Sequence, residues 1–149
     1  MNIFIDCEWN DWQGDLISMA LVSECGREFY EVLHCWNPSP WIEKNVMPNL
    51  AKAPIDHNLF QKHLSMYLGH FVNPHIIADW PEDISHFCKI LCNPGGVRFG
   101  PDRFTCEVRR DIGNKESRIL HNALEDARAL KRSLLFTASH HPINPNPVS

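Results

Sequence analysis

The order in which the hydrophobic period changes along the chain is the strongest constraint on its fold. Residues 2–8, 16–23 (LISMALVS) and Arg27 to Cys35 (REFYEVLHC) are apolar runs rich in β-branched and aromatic residues. They are joined by NDWQGD and ECG, both turn-like. Three strands with such short links predict an antiparallel meander. The period then becomes helical. Pro40 to Met47 predicts a short helix stopped by Pro48. From Pro54, the residues Ile55, Leu59, Phe60, Leu64, Tyr67, Leu68 and Phe71 recur at helical spacing. His75-Ile76-Ile77-Ala78 predicts a fourth strand. Asp79 to Leu91 follows as a helix, with Ile84, Phe87, Ile90 and Leu91 on one face. Asn93 to Gly96 reads as a loop, Arg103 to Val108 as a fifth strand, and Asn122 to about Ser139 as a long final helix. The order βββ, then ααβαβα, predicts an α/β fold: a mixed five-stranded sheet, meander first and parallel strands later, flanked by helices. Residues 1–139 make one domain on this reading, and the Pro- and Asn-rich tail 140–149 is expected to be loose.

The first strand ends in two carboxylates. Side chains alternate along a strand, so Asp6 and Glu8 project from the same face. Like charges held that close repel, and a bound divalent cation is one way to offset them. Two further acidic groups fall at predicted helix starts. In Asp79-Trp80-Pro81-Glu82-Asp83, Asp79 reads as an N-cap with Glu82 three residues on, Pro81 suits the first turn, and Asp83 follows at about the fourth helical position. In His121-Asn122-Ala123-Leu124-Glu125-Asp126, Asn122 caps, Glu125 follows at three, and Asp126 occupies the place that Asp83 has in the other helix. With His121 in the loop before the helix, His121 and Asp126 can face one cleft. Helix dipoles explain Asp83 and Asp126 individually. Their combination with Asp6 and Glu8 is what predicts a site, and sites gather where strand ends meet helix starts.

The bulk composition narrows the classes. A 149-residue chain with 44% hydrophobic and 21% charged residues suits one domain with a real core. No apolar run is long enough to span a membrane. Asp6 and Glu8 interrupt the only early apolar run, so no signal peptide is expected and the protein is expected in the cytoplasm. The six cysteines then read as reduced thiols, Cys7 and Cys88 buried among them, and Cys88-x3-Cys92 lacks the usual zinc spacing. A net charge of -4 means that any polyanion must be bound locally or through metal ions. The stretch Arg98 to Arg118 leans basic, with six basic residues against four acidic ones, and reads either as a solvated loop of mixed charge or as a phosphate-contacting edge.

Asp6-Cys7-Glu8, Asp79 to Asp83 and His121 to Asp126, in this order, resemble the three motifs of the DEDDh group of 3′–5′ exonucleases. The resemblance runs from residue 2 to about 135. With the compact length and Asn45-Val46-Met47-Pro48, it is greatest to the small bacterial and phage exoribonuclease branch. Asp79 stands where the family usually has Asn, which makes it a rival to Asp83 for the second-motif carboxylate. The residues after Glu8 are Trp9-Asn10-Asp11-Trp12 rather than the family's Thr-Gly, so its contacts to the terminal nucleotide are not carried over.

The resemblance implies an RNase H-like fold. It also implies two Mg²⁺ or Mn²⁺ ions held by Asp6, Glu8, Asp83 and Asp126, with His121 as general base. The implied substrate is a single-stranded nucleic acid 3′ end, RNA before DNA, and the product a nucleoside 5′-monophosphate. Trp9 and Trp12, and Trp80 beside the second motif, are expected either to stack on the last base or to pack in the core. The same residues leave open a DNA-directed repair or proofreading exonuclease, a nucleotide substrate, and a non-catalytic nucleic-acid- or protein-binding module on the same fold. Exposed apolar surface could make a homodimer; the sequence does not fix the oligomeric state.

Overall fold

The structure, a computed structural model, describes residues 1–92 and 95–139, the side chains of 137–139 excepted. The tail 140–149 lies outside the described residues, as do Asn93 and Pro94 of the expected loop. Strands β1 (Asn2–Trp9), β2 (Leu16–Ser23) and β3 (Glu28–Val32) come first. Helices α1 (Pro40–Asn45) and α2 (His57–Leu68) follow, with a single 3-10 turn, Met47–Asn49, between them. Then come β4 (His75–Ala78), α3 (Pro81–Ile90), β5 (Thr105–Val108) and α4 (Ala123–Ser139). The five strands form one mixed sheet in the order β3-β2-β1-β4-β5. The β1–β2 and β2–β3 pairs are antiparallel, and the β1–β4 and β4–β5 pairs are parallel. This is the expected α/β sheet of RNase H-like arrangement.

Period-two alternation assigns each face of β1 to a different helix layer. Ile3, Ile5 and Cys7 join Phe60, Leu64, Leu68 and Phe87 in the core under α2 and α3. Phe4 points the other way, toward Ile112 and Leu130. Each fully buried large side chain here contributes about 1.5–3 kcal/mol. On that second face α4 packs through Ala123 and Ala127 against Ala20 and Val22 of β2. Small side chains on both surfaces let this helix lie close to the sheet. Asp6 and Glu8 share the parity of Phe4, so they sit on the α4 side.

Several expected boundaries shift for local reasons. Pro48 does not stop α1; it occupies the second position of the 3-10 turn, where its missing N–H costs nothing. Asp79 does not cap α3. The residue before a proline is driven to extended backbone, and Trp80 at φ -125°, ψ 136° takes the N-cap place without a side-chain bond. Asp83 is therefore the third helical residue and Asp126 the fourth of its own helix. Asn122 does cap α4, its Oδ1 accepting from the Glu125 N–H at 3.1 Å. Cys7 is buried as expected, whereas Cys88 is exposed. On α3 the buried positions are Asp83, His86, Phe87 and Ile90, and one further residue turns Cys88 by ~100° onto the outer surface.

Candidate metal centre

β1 runs through the middle of the sheet, so its carboxyl end opens between a parallel and an antiparallel neighbour. In the β1–β4 register Phe4 stands opposite Ile77, two residues short of Asp6 and Asp79 respectively. On the other flank Asp6 pairs with Ala20 and Glu8 with Ser18, and the ladder slips between Glu8 and Trp9. Such irregularities re-aim the residues at a strand tip. Asp83, arriving from the first turn of α3, accepts the Cys7 N–H at 2.9 Å and is thereby tied to β1. Asp126 reaches the same strand from the first turn of α4.

Two groups of carboxylates result. Ligand oxygens of Asp6, Glu8 and Asp126 all lie within 4.8 Å of one another, and so do those of Asp6, Asp79 and Asp83. Asp6 belongs to both. The sequence left Asp79 and Asp83 as rivals; the fold brings both of them to Asp6.

Burial shifts every one of these carboxyls the same way, and repulsion adds to it at Asp6, Glu8 and Asp83. Burial, then repulsion from Asp83, Asp126, Glu8 and Asp79, holds the Asp6 carboxyl well above the usual carboxylate range. Burial and Asp79 do the same for Asp83, against the stabilising Cys7 N–H. Burial beside Asp126 pushes Glu8 up to about 8. Burial also raises Asp126, with Ser117, His121 and Asn114 pulling it down. Burial raises Asp79, and Arg110 opposes. One oxygen of Asp126, Oδ1, is buried with no hydrogen-bond partner among the described residues. A buried acceptor left unmatched costs about 1–3 kcal/mol.

A cleft of about 420 Å³ contains Asp6, Glu8, Asp79, Asp83, His121 and Asp126 together with Trp9, Trp12 and Trp80. All the candidate residues of the sequence thus share one cavity. His121 lies in the turn before α4 with φ 60°, a left-handed conformation that His adopts more readily than most residues. Asn49 bonds the residues on both sides of it: its Nδ2 donates to the Leu120 backbone O at 3.1 Å, and its backbone carbonyl accepts from the Asn122 side-chain Nδ2 at 2.6 Å.

Besides Asn49, further participants come from outside the three motifs. Trp41 on α1 lines the cleft, 51% exposed, and meets the His121 ring edge-on with centroids 5.0 Å apart. Asn10 brings α1 there, its amide donating to Asn37 O at 2.7 Å and accepting from the Ser39 N–H at 2.9 Å. Arg110 holds its guanidinium 4.3 Å from the centre of the Trp80 ring, at the rim. Trp41 neighbours the Asn45–Pro48 motif and Arg110 belongs to the basic stretch Arg98 to Arg118, both weak signals; Asn10 carried none for this role. No protein-family model matches the chain, and no curated protein does.

Proposed function

We propose that this chain is a divalent-metal-dependent 3′–5′ exonuclease of the DEDDh type, acting in the cytoplasm on single-stranded RNA ends in preference to DNA. The observation that supports the reading most is the meeting of two carboxylate triads at Asp6, in one cleft with His121. The donor set fits hard cations: every ligand is an anionic oxygen, the acids are buried against each other's repulsion, and Asp126 Oδ1 is unmatched. Asp6, Glu8 and Asp126 would hold one Mg²⁺ or Mn²⁺, and Asp6, Asp79 and Asp83 the other. Such a pair, when bound, supplies positive charge to the attacking and leaving oxygens of an in-line displacement at phosphorus.

The chain's own residues supply the rest. His121 takes a proton from the attacking water on its imidazole, acting as the general base. The water oxygen bonds to phosphorus, the bond from phosphorus to the 3′ oxygen of the upstream nucleotide breaks, and the terminal nucleotide leaves as its 5′-monophosphate. Trp41 and the Asn49 bonds fix where the His121 ring stands. Trp9, Trp12, Trp41 and Trp80 flank the cleft and offer stacking faces to the terminal base. Arg110, steadied on Trp80, presents a cation to the strand's phosphates.

The test is incubation of the purified chain with end-labelled RNA and DNA oligomers bearing 3′ overhangs, in Mg²⁺, Mn²⁺ or EDTA, with products resolved at single-nucleotide steps. Stepwise 3′ shortening, faster on RNA and absent in EDTA, is expected. No shortening with either metal overturns the reading, and faster shortening of DNA overturns the substrate preference.

A further inference from the structure

A second cavity, of about 520 Å³, lies across the β1–β2 turn from the carboxylates. Asp11 and Trp12 of that turn line the carboxylate cleft, while Gln13, Gly14 and Asp15 line the second cavity. The same partition continues through two rings. Trp9 lines the carboxylate cleft and lies against His86, centroids 5.4 Å apart and planes at 30°, and His86 lines the second cavity. The two spaces are therefore neighbours separated by one turn and one aromatic pair.

The chemistry of the second cavity is specific. Trp36 is 82% exposed, far more than a large aromatic needs to be. It is nevertheless fixed, stacked on His34 with centroids 5.1 Å apart and planes at 14°. One face of the indole is thus covered and the other is open. Lys89, from the last turn of α3, and His57, from the first turn of α2, add donors. His86 is only 5% exposed, and its Nε2 is buried without a partner among the described residues. Of the two acids in the lining, Asp56 is engaged in capping α2, accepting the Leu59 N–H at 2.9 Å. A flat open stacking face beside a lysine and several imidazoles is the pattern that receives a base together with its phosphate.

We infer that this cavity is a second nucleotide subsite, taking a base on the open face of Trp36 and its phosphate beside Lys89. The inference rests on the exonuclease reading only for the source of the ligand, either the strand being degraded or a free mononucleotide. The experiment is done in EDTA, so that the carboxylate cleft carries no metal. Adenosine 5′-monophosphate, adenosine and a 5′-phosphorylated trinucleotide are titrated against the full chain, followed by tryptophan fluorescence and calorimetry.

Saturable binding of the monophosphate is expected, tighter than adenosine. Trp36→Ala weakens it about tenfold, the scale of one base–aromatic stack. Lys89→Glu reduces it to the level of adenosine, and Asp126→Asn leaves it unchanged. A trinucleotide bound at least as tightly assigns the subsite to the strand, and a tighter monophosphate assigns it to the free nucleotide. Equal binding by wild type and Trp36→Ala, loss of binding in Asp126→Asn, or no saturable binding of either phosphate ligand overturns the subsite. Binding in EDTA with no oligomer shortening in Mg²⁺ or Mn²⁺ keeps the subsite and removes the exonuclease; shortening with either metal but no binding in EDTA does the reverse.

Discussion

Asp6 is the residue on which the site turns, because it is the member common to both carboxylate triads. Burial and its acidic neighbours make it expensive to ionise. Asp6→Ala and Asp126→Ala are each expected to abolish hydrolysis while the far-ultraviolet circular dichroism stays that of wild type; measurable turnover in either purified variant removes the site. His121 has a separable role. His121→Ala is expected to bind Mn²⁺ as wild type does by calorimetry and to lose about 10²–10⁴-fold in turnover. Turnover within a factor of a few of wild type removes it as the base. At this scale the meeting of Asp6, Glu8, Asp83, His121 and Asp126 in one cleft was legible in the sequence, because short motifs mark them. Asp79 was misread as a cap because the Asp-x-Pro spelling favours one; the extended backbone that Pro81 imposes on Trp80 frees Asp79 for the cleft.

Elements act here as mounts for single side chains. The 3-10 turn Met47–Asn49 lies 71 residues from Leu120 in the chain, yet its Asn49 holds the backbone around His121. Asn49→Ala is expected to cost about 1–2 kcal/mol in chemical denaturation and to lower turnover without lowering Mn²⁺ affinity. A proportional loss of metal binding assigns the effect to the whole site instead. Helix α4 reaches Asp6 and Glu8 because Ala123 and Ala127 meet the sheet through small side chains. Ala127→Leu is expected to overpack this contact by about 1–3 kcal/mol, push Asp126 outward and weaken Mn²⁺ binding. Unchanged affinity in a folded variant shows that α4 can slide without moving the carboxylate.

For the whole molecule, buried acids couple stability to pH. Glu8 keeps its proton to about pH 8 in the folded chain, whereas its ordinary value is 4.5. Asp6, Asp83 and Asp126 shift in the same direction. The folded state then binds more protons than the unfolded one across this window, so stability is present at low pH and lost as pH rises. In EDTA the Tm is expected to fall by several degrees between pH 5.5 and pH 8.5. Saturating Mn²⁺ is expected to flatten that slope and raise the Tm at the alkaline end, since a ligand of the folded state stabilises it. A metal-free Tm that rises across the window overturns the electrostatic account. The net charge of -4 fits the proposed reading, in which bound metal ions would bring positive charge to the cleft.

By itself the sequence determined the element order, the mixed sheet and the motif carboxylates. Those depend on periodicity, on turn residues and on side chains a few positions apart, all local quantities. Tertiary structure alone decided that Asp79 and Asp83 both reach Asp6, that Trp41 and Asn49 guard His121, that Cys88 faces outward, and that a second cavity opens beyond Trp9. Each of these is a contact between segments tens of residues apart or a choice of helix face set by packing, and no local spacing encodes which distant surface a side chain will meet.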